Sequence, residues 1–242
     1  DDYSTVEFRR TRIQVPVGND CWEDCGEESL YLCKEYSVEE SLKCVPGLLD
    51  RRDVLLSQSP RILNAKSPER ILHVHQGEVA HCTPSQCDVL VSDRATTCHI
   101  LALRSSGAET LCSLMHIDGT DFHNGNVADM DVHILGGVDD DKSRELSNWL
   151  LHLLADLADT MLSLRITLQT AVVSILNNDG YNAPVGRGLA LYCNSGDVSL
   201  AKATLDVGPL PYQRSASLWN NKKSRSLHTV FDTDGILRVQ GI

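Results

Sequence analysis

The chain has 242 residues, a mass of 26.7 kDa and a formal net charge of -11 at pH 7. With 42% hydrophobic and 23% charged residues, this composition is that of a soluble globular protein with one main core. The acidic excess argues against nucleic-acid binding, because phosphate backbones carry the same sign of charge, and favours a protein or peptide partner. The longest leucine-rich stretch, residues 146–164, contains His152, Asp156 and Asp159, so no membrane-spanning segment is predicted.

The nine cysteines are odd in number and irregularly spaced. This pattern argues against a closed disulfide framework and favours reduced thiols in a cytosolic or nuclear compartment. The candidates for a metal site are Cys21, Cys25, Cys33 and Cys44, but their gaps match no paired C-x-x-C pattern. We therefore expect neither a metal nor an organic cofactor.

The first 67 residues form an acidic, cysteine-bearing segment that we place at the periphery of the fold. A short helix is predicted at residues 37–44, and Pro46-Gly47 is interpreted as a break after it. The missing initiator methionine leads us to expect a trimmed chain or a fragment.

From residue 68 to residue 242 we predict one catalytic domain built mainly of short strands. Apolar runs between turn residues predict strands at 71–74, 87–91, 97–104, 111–116 and 131–135. The Ser-Ser-Gly turn around Gly107 joins the third and fourth of these strands as a hairpin. Gly136-Gly137 is interpreted as the turn that ends the fifth.

One long helix is predicted from leucines and a tryptophan that recur at helical spacing between residues 146 and 157. Asp139, Asp140 and Asp141 precede it and offer N-cap oxygens. Further strands are expected at 162–168, and as hairpins at 188–193 with 198–203 and at 227–231 with 236–239. Many strands with few helices predict an α+β fold whose core is a mostly antiparallel or mixed, sandwich-like sheet with flanking helices.

Cys98 stands at the entrance to one of the predicted strands, where a sulfur could act as a nucleophile. Adjacent strand residues point to opposite faces, so His99 is a poor base for it. The predicted hairpin brings Cys98 close to His116, which ends the next strand, and the pair could form a Cys-His dyad. Pairings that involve Cys112 or His123 also fit the spacing, and Cys98 could instead be a small buried hydrophobic residue.

Three ordered blocks carry a family resemblance: S-D-R-A-T-T-C-H-I-L-A-L, L-C-S-L-M-H-I-D-G-T-D and D-V-H-I-L-G-G-V-D-D-D. They resemble the protein N-terminal asparagine amidohydrolase family, whose members deamidate an asparagine at the first position of a protein. The resemblance is close over residues 72–141 and looser beyond, where V-F-D-T-D-G-I-L-R-V is similar to a late family segment.

The resemblance implies that Cys98 is the nucleophile. The family fold is similar to that of bacterial glutamine deamidases that use a cysteine and a histidine one hairpin apart, which implies His116 as the base. Ser92, six residues before the cysteine, would orient the dyad. The product, an N-terminal aspartate, would feed arginylation and degradation by the N-degron pathway.

Substrate binding is assigned to four further residues on chemical grounds. Thr97 is a candidate donor to the oxyanion. Asp93, Asp118 and Asp121 are candidate partners for the free α-ammonium of the substrate, although aspartates in turns commonly cap backbone N–H groups.

The chain departs from the family pattern in three ways. It has Arg94 where an acidic residue is common, only a short segment at 122–130 where relatives carry an insert, and no counterpart of the family segment that follows Ile242. We therefore expect a domain truncated at its C-terminus. Two alternatives remain open: a deamidase of internal glutamine side chains, and a binding module without turnover.

Overall fold

A computed structural model describes residues 11–16, 27–32, 37–106, 110–118, 129–160, 164–178, 185–210, 225–227, 229–231 and 237–239. Two β-sheets pack face to face, and helices cover the other face of the larger sheet. The predicted α+β class, with antiparallel and mixed sheets and flanking helices, is confirmed. Within these ranges no helix combines the length and the apolar character needed to span a bilayer.

The larger sheet has eight strands, numbered here by chain position. In spatial order they are β13 (Arg225–Leu227), β5 (Glu78–Cys82), β8 (Cys112–Ile117), β7 (His99–Ser106), β9 (Asp129–Gly136), β10 (Ile166–Val173), β1 (Thr11–Pro16) and β2 (Glu27–Leu32). Most neighbours are antiparallel, but β9 and β10 are parallel and are connected through a long helix.

The smaller sheet has five strands. In spatial order they are β3 (Arg61–Leu63), β12 (Val198–Ala203), β11 (Arg187–Tyr192), β6 (Val89–Ala95) and β4 (Ile71–His73). A separate hairpin joins β14 (Thr229–Phe231) to β15 (Leu237–Val239). The three predicted hairpins, β7 with β8, β11 with β12 and β14 with β15, are therefore confirmed.

Three α-helices accompany the sheets: α1 (Val38–Lys43), α2 (Pro46–Ser57) and α3 (Asp141–Thr160). Helix α1 begins with a capping box, in which Ser37 and Glu40 satisfy each other's backbone N–H groups. Helix α3 is the predicted long helix, and the Asp140 carboxylate accepts a hydrogen bond of 2.7 Å from the backbone N–H of Ser143. Both helix predictions, including the aspartate cap, are confirmed.

Alternation along the strands divides the core into two layers. On β7, Leu101 and Leu103 face the helices and pack with leucines of α3 such as Leu150. Ile100 and Ala102 point the other way, into the apolar layer between the two sheets. The side-chain direction on β7 and β8 therefore decides which residues can meet β6 of the smaller sheet.

Part of the segment up to residue 67 is packed into the fold. Leu30 on β2, Leu42 on α1 and Leu48 on α2 are at most 1% exposed and belong to the core beneath the helices. Helix α2, which begins at Pro46, was not expected from the sequence. The domain boundary at residue 67 stays a prediction.

Candidate active site

Strand β6 contains a β-bulge near its end, beside the layer between the two sheets. The pairing of β6 with β11 shifts register between Ser92 and Ala95, so two residues of β6, Asp93 and Arg94, face Gly188 alone. Arg94 adopts a φ of 60°, which the extra residue requires. Ser92 faces the layer between the sheets by alternation with Leu90 and Val91, and the extra residue returns Ala95 to the same layer; both Ser92 and Ala95 are fully buried.

Ser92 and His116 meet across that layer. The Ser92 Oγ atom lies 2.8 Å from His116 Nδ1, which joins β6 of the smaller sheet to β8 of the larger one. Ser92 is 0% exposed and His116 is 4% exposed. Within the described part of the chain, His116 Nε2 is buried and has no hydrogen-bond partner. The serine thus fixes the ring orientation through one nitrogen and leaves the other available.

Cys98 lies on the same face of the larger sheet as His116. The β7–β8 register pairs Ile100 with His116 and His99 with Ile117, so Cys98, one residue before β7, is diagonal to His116. Its carbonyl accepts a ladder hydrogen bond of 2.9 Å from Gly137 N–H, which extends the strand alternation to Cys98. Cys98 and His116 make no hydrogen bond to each other within the described residues. Such contacts commonly tighten only when substrate binds.

Gly136 and Gly137 allow β9 to approach the backbone of Cys98 closely. Gly136 has a φ of +139°, and a Cβ atom there would lie 2.2 Å from the Cys98 carbonyl oxygen. A Cβ on Gly137, with φ of +76°, would lie 2.9 Å from the His99 ring. This glycine pair, interpreted from the sequence as a strand-ending turn, therefore also positions the nucleophile candidate.

Replacing Gly136 by alanine is expected to destabilise the protein by about 2–5 kcal/mol, because the methyl group must displace the Cys98 backbone and the residue is strained at positive φ. Gly77→Ala is the matched control: its φ is +74°, but no atom lies within 4 Å of the added Cβ. Urea unfolding of both variants measures the difference. Equal destabilisation would show that the close approach to Cys98 has no energetic role.

The Cys98 thiol is less accessible than its place at a strand entrance suggested, with 8% of the residue exposed. Burial raises the pKa of the Cys98 thiol. A hydrogen bond from the Thr97 hydroxyl and the nearby Lys142 ammonium oppose this effect, whereas the Asp118 carboxylate adds to it. In the free protein the sulfur is therefore a protonated thiol at neutral pH.

The imidazole of His116 is neutral as well. Burial lowers its pKa to about 4, against the opposite influence of the Asp118 and Asp93 carboxylates. The resting state is therefore a neutral thiol and imidazole. The histidine can therefore act as a general base that takes the proton during attack.

Two other histidines on the larger sheet are also buried. His99, on the opposite face from Cys98, lies with its Nε2 2.8 Å from Ser147 Oγ on α3, as the strand alternation predicts. His133 Nδ1 lies 3.2 Å from Thr170 Oγ1 on β10. Burial lowers the pKa of each ring to about 4. Both rings therefore have hydrogen-bonding partners within the fold.

These three histidines predict that the protein loses stability as the pH falls from 7 to 5. Their pKa of about 4 in the folded state is below the unfolded value near 6.5, so unfolding takes up protons in this window. Their contribution is fully present above about pH 6.5 and declines toward pH 4, at up to about 4 kcal/mol per pH unit for three sites.

Urea unfolding at several pH values measures this slope. The variant His133→Gln keeps a group that can bond Thr170 but cannot titrate, so it is expected to remove about one third of the slope. If the free energy of unfolding did not change between pH 7 and pH 5 in the native chain or in the variant, the low folded-state pKa values of these histidines would be contradicted.

The three candidate aspartates have different places. Asp93 points to the outer face of the smaller sheet, 3.4 Å from His73 Nε2 and 3.1 Å from the backbone N–H of Ala203. It lines a cleft of about 730 Å³ on that side. Asp118 is exposed, two residues after His116, and accepts a 3.0 Å hydrogen bond from the Gln76 side chain. Asp121 lies outside the described residues.

Extending the β7–β8 register by one pair places Asp118 opposite Cys98. Of the carboxylates proposed from the sequence and described by the structure, Asp118 is thus the one beside both reactive residues. Gln76, which holds its carboxylate, was not identified from the sequence, because β5 and the turn before it carry no motif.

The arrangement suits acyl transfer: a thiol, a neutral imidazole held by a buried hydroxyl, and a carboxylate at the rim. The four cysteines discussed as a metal site are not assembled by the described residues. Cys44 is exposed at the end of α1, and Cys21, Cys25 and Cys33 lie outside the described ranges.

Comparison with known proteins places this site in a family context. A family model described as protein N-terminal asparagine amidohydrolase matches residues 62–240. Curated proteins of that description from Homo sapiens, Mus musculus and Sus scrofa are 32%, 31% and 31% identical to the chain over 200 residues. Each match covers 74% of this chain and 62% of the relative. The chain therefore spans less than two thirds of the length of these relatives.

Proposed function

The chain belongs to the protein N-terminal asparagine amidohydrolase family, and from this premise we propose that it hydrolyses the side-chain amide of an N-terminal asparagine to aspartate and ammonia. The observation that carries the proposal is the family match over residues 62–240, which includes Ser92, Cys98 and His116. The substrates would be proteins or peptides with a free N-terminal asparagine.

The first half of the reaction forms a thioester. His116 Nε2 takes the Cys98 proton as the sulfur attacks the carboxamide carbon. In this tautomer the ring's other proton stays on Nδ1, and the Nδ1–H group donates a hydrogen bond to Ser92 Oγ, 2.8 Å away. The imidazolium next gives its new proton to the departing nitrogen, since ammonia leaves only when protonated. The tetrahedral oxyanion needs donors, for which the Cys98 backbone N–H and the Thr97 hydroxyl are candidates.

The second half reverses these roles. Neutral His116 removes a proton from water, which attacks the thioester carbon, and the proton then passes to the Cys98 sulfur. One water is consumed and one ammonia released, so the reaction needs no redox partner. The neutral resting pair supports this cycle, because His116 with a pKa of about 4 is ready to accept a proton throughout the physiological pH range.

Asp118 is the proposed anchor for the α-ammonium group of the substrate. It is exposed at the end of β8, its register position is opposite Cys98, and Gln76 orients its carboxylate. Anchoring the ammonium group fixes how far the carboxamide of the substrate's first side chain extends toward the Cys98 sulfur. Asparagine and glutamine differ by one methylene, which an apolar contact distinguishes by only about 1–3 kcal/mol. A fixed distance from Asp118 to the sulfur would favour the shorter amide further.

Asp118→Asn tests this role. A charge-assisted hydrogen bond contributes about 1.5–3 kcal/mol, so kcat/KM for a peptide with free N-terminal asparagine is expected to fall about 10- to 150-fold. Asp93→Asn, on the outer face of the smaller sheet, is the control. A larger loss in the control than in Asp118→Asn would move the anchor to the other face.

The reaction itself is tested with three peptides that differ only at the first residue: free asparagine, acetylated asparagine and free glutamine. Ammonia release from the first alone supports the proposal. Equal release from the acetylated peptide would instead support a deamidase of internal side chains, and no release from any would support a binding module.

The product would be a protein with an N-terminal aspartate. As the resemblance implies, such a product is a substrate for arginylation in the N-degron pathway, and a cytosolic or nuclear location would suit that role. Mass spectrometry of the arginylated product in a coupled reaction with an aspartate-specific transferase would test this placement.

A further inference from the structure

A second cluster of reactive side chains lies at the other end of the layer between the sheets. Cys82 ends β5, Cys87 precedes β6 and Cys193 follows β11, and their three sulfur atoms all lie within 4.8 Å of one another. None of the three residues is more than 2% exposed. Cys112 on β8 is directly paired with Cys82 in the β5–β8 register.

Cys112 is the candidate fourth ligand. It is 0% exposed, and its sulfur lies 3.5 Å from the backbone carbonyl of Cys193 and within interaction distance of the Cys193 sulfur. Three buried thiols therefore converge, and the Cys112 sulfur lies beside them but not within 4.8 Å of all three, so binding a shared ion requires the Cys112 side chain to move closer. The reaction proposed above uses none of them, because Cys112 and His116 are four residues apart on β8, about 13 Å along the strand.

The distances among the sulfurs of Cys82, Cys87 and Cys193 fit a thiolate metal site. A tetrahedral zinc ion with Zn–S bonds of about 2.3 Å separates its sulfur ligands by roughly 3.8 Å. The sulfur atoms of Cys82 and Cys193 are 3.6 Å apart. A disulfide explains the cluster less well, because it would join only two sulfurs, would require them to approach to about 2.05 Å and would need an oxidant.

Nearby cations can balance the charge that such a site acquires. The guanidinium group of Arg104 donates hydrogen bonds to the carbonyls of Cys193, at 3.2 Å, and of Asn194, at 2.9 Å. The Arg70 guanidinium group also interacts electrostatically with Cys87 and Cys193. Positive charge beside buried thiolates lowers the electrostatic cost of ionising them.

We propose that Cys82, Cys87, Cys112 and Cys193 bind one structural Zn²⁺ ion that joins the two sheets. Binding replaces the thiol protons with Zn–S bonds and releases the protons to solvent, without any change of oxidation state. The site is closed, as structural zinc sites are, and lies in the region matched by the family model. The sequence did not predict it, because Cys112 and Cys193 lie 25 and 106 residues after Cys87 along the chain.

The test is the metal content and cobalt spectrum of the full chain. Protein purified under reducing conditions from zinc-supplemented cells is expected to contain about one zinc per chain by elemental analysis. After reduction and removal of metal, addition of Co²⁺ should produce the intense thiolate-to-cobalt absorption and visible bands of a tetrahedral site. Zinc should also raise the midpoint of thermal unfolding.

Cys193→Ser is expected to lose the metal, whereas Cys44→Ser, at an exposed cysteine outside the cluster, should retain it. If Cys193→Ser does not fold, the native chain alone decides the question. Less than about one tenth of an equivalent of zinc together with no cobalt thiolate absorption would overturn the proposal, as would a Cys82–Cys193 disulfide in freshly purified protein. Ammonia release is not a readout here, so this test is independent of the proposed reaction.

Discussion

Replacing Cys98 by serine is expected to lower the rate of ammonia release from a peptide with free N-terminal asparagine by about 10⁴-fold or more. The hydroxyl is nearly the same size as the thiol, so the backbone hydrogen bond from Gly137 and the packing of β9 should remain. What is lost is the sulfur: a serine hydroxyl is a poorer nucleophile than a thiol, and the ester that it would form is less reactive toward water than a thioester.

Cys44→Ser is the matched control, since this cysteine is exposed at the end of α1, on the helical side of the larger sheet. Its rate is expected to stay within about twofold of the native rate, as for surface changes distant from a site. Full activity of Cys98→Ser, with the fold verified by circular dichroism, would remove the sulfur from the mechanism.

The second large effect is expected at His116. His116→Gln retains an amide that can bond Ser92 but cannot transfer a proton, so kcat should fall about 10²- to 10⁴-fold. The pH dependence provides an additional measurement. In the native chain kcat/KM should rise as the pH increases through about 4, where the His116 ring loses its proton. This rise on the acid side of the pH profile should disappear in His116→Gln.

Variants of Ser92 test whether this residue positions the His116 ring without transferring a proton itself. Ser92→Ala leaves His116 Nδ1 without its partner and should lower kcat by a smaller factor, about 5- to 100-fold, while the acid limb of the pH profile persists. Ser92→Thr, which keeps the hydroxyl, should recover most of the rate. A pH profile that is unchanged in His116→Gln would contradict the role of this ring as the base.

Local patterns were sufficient to predict much of the fold. Leucine spacing and the preceding aspartates predicted α3, and turn residues between apolar runs predicted three hairpins, because these features depend on neighbouring residues. Helix α2 was missed because Pro46-Gly47 was interpreted as a break, although proline is favourable at the first position of a helix. The β3–β12 pairing joins residues about 140 positions apart and leaves no local signal.

The site was predictable to the extent that the hairpin determines it. Adjacent strands joined by a short turn bring Cys98 and His116 to one face, and alternation sends His99 to the other. The Ser92 contact joins strands of two different sheets, which no local pattern predicts, and its residue was identified only through the family resemblance. The neutral state of both reactive groups follows from burial, which the sequence does not specify.

The most direct test of the account is covalent labelling by a peptide whose N-terminal residue carries a diazomethyl ketone in place of the asparagine carboxamide. Attack by the Cys98 sulfur would form a stable thioether and release N₂. The account predicts one label per chain, at Cys98, with little labelling by the acetylated peptide, and much slower labelling in His116→Gln. Labelling at another cysteine, or equal labelling by the acetylated peptide, would contradict it.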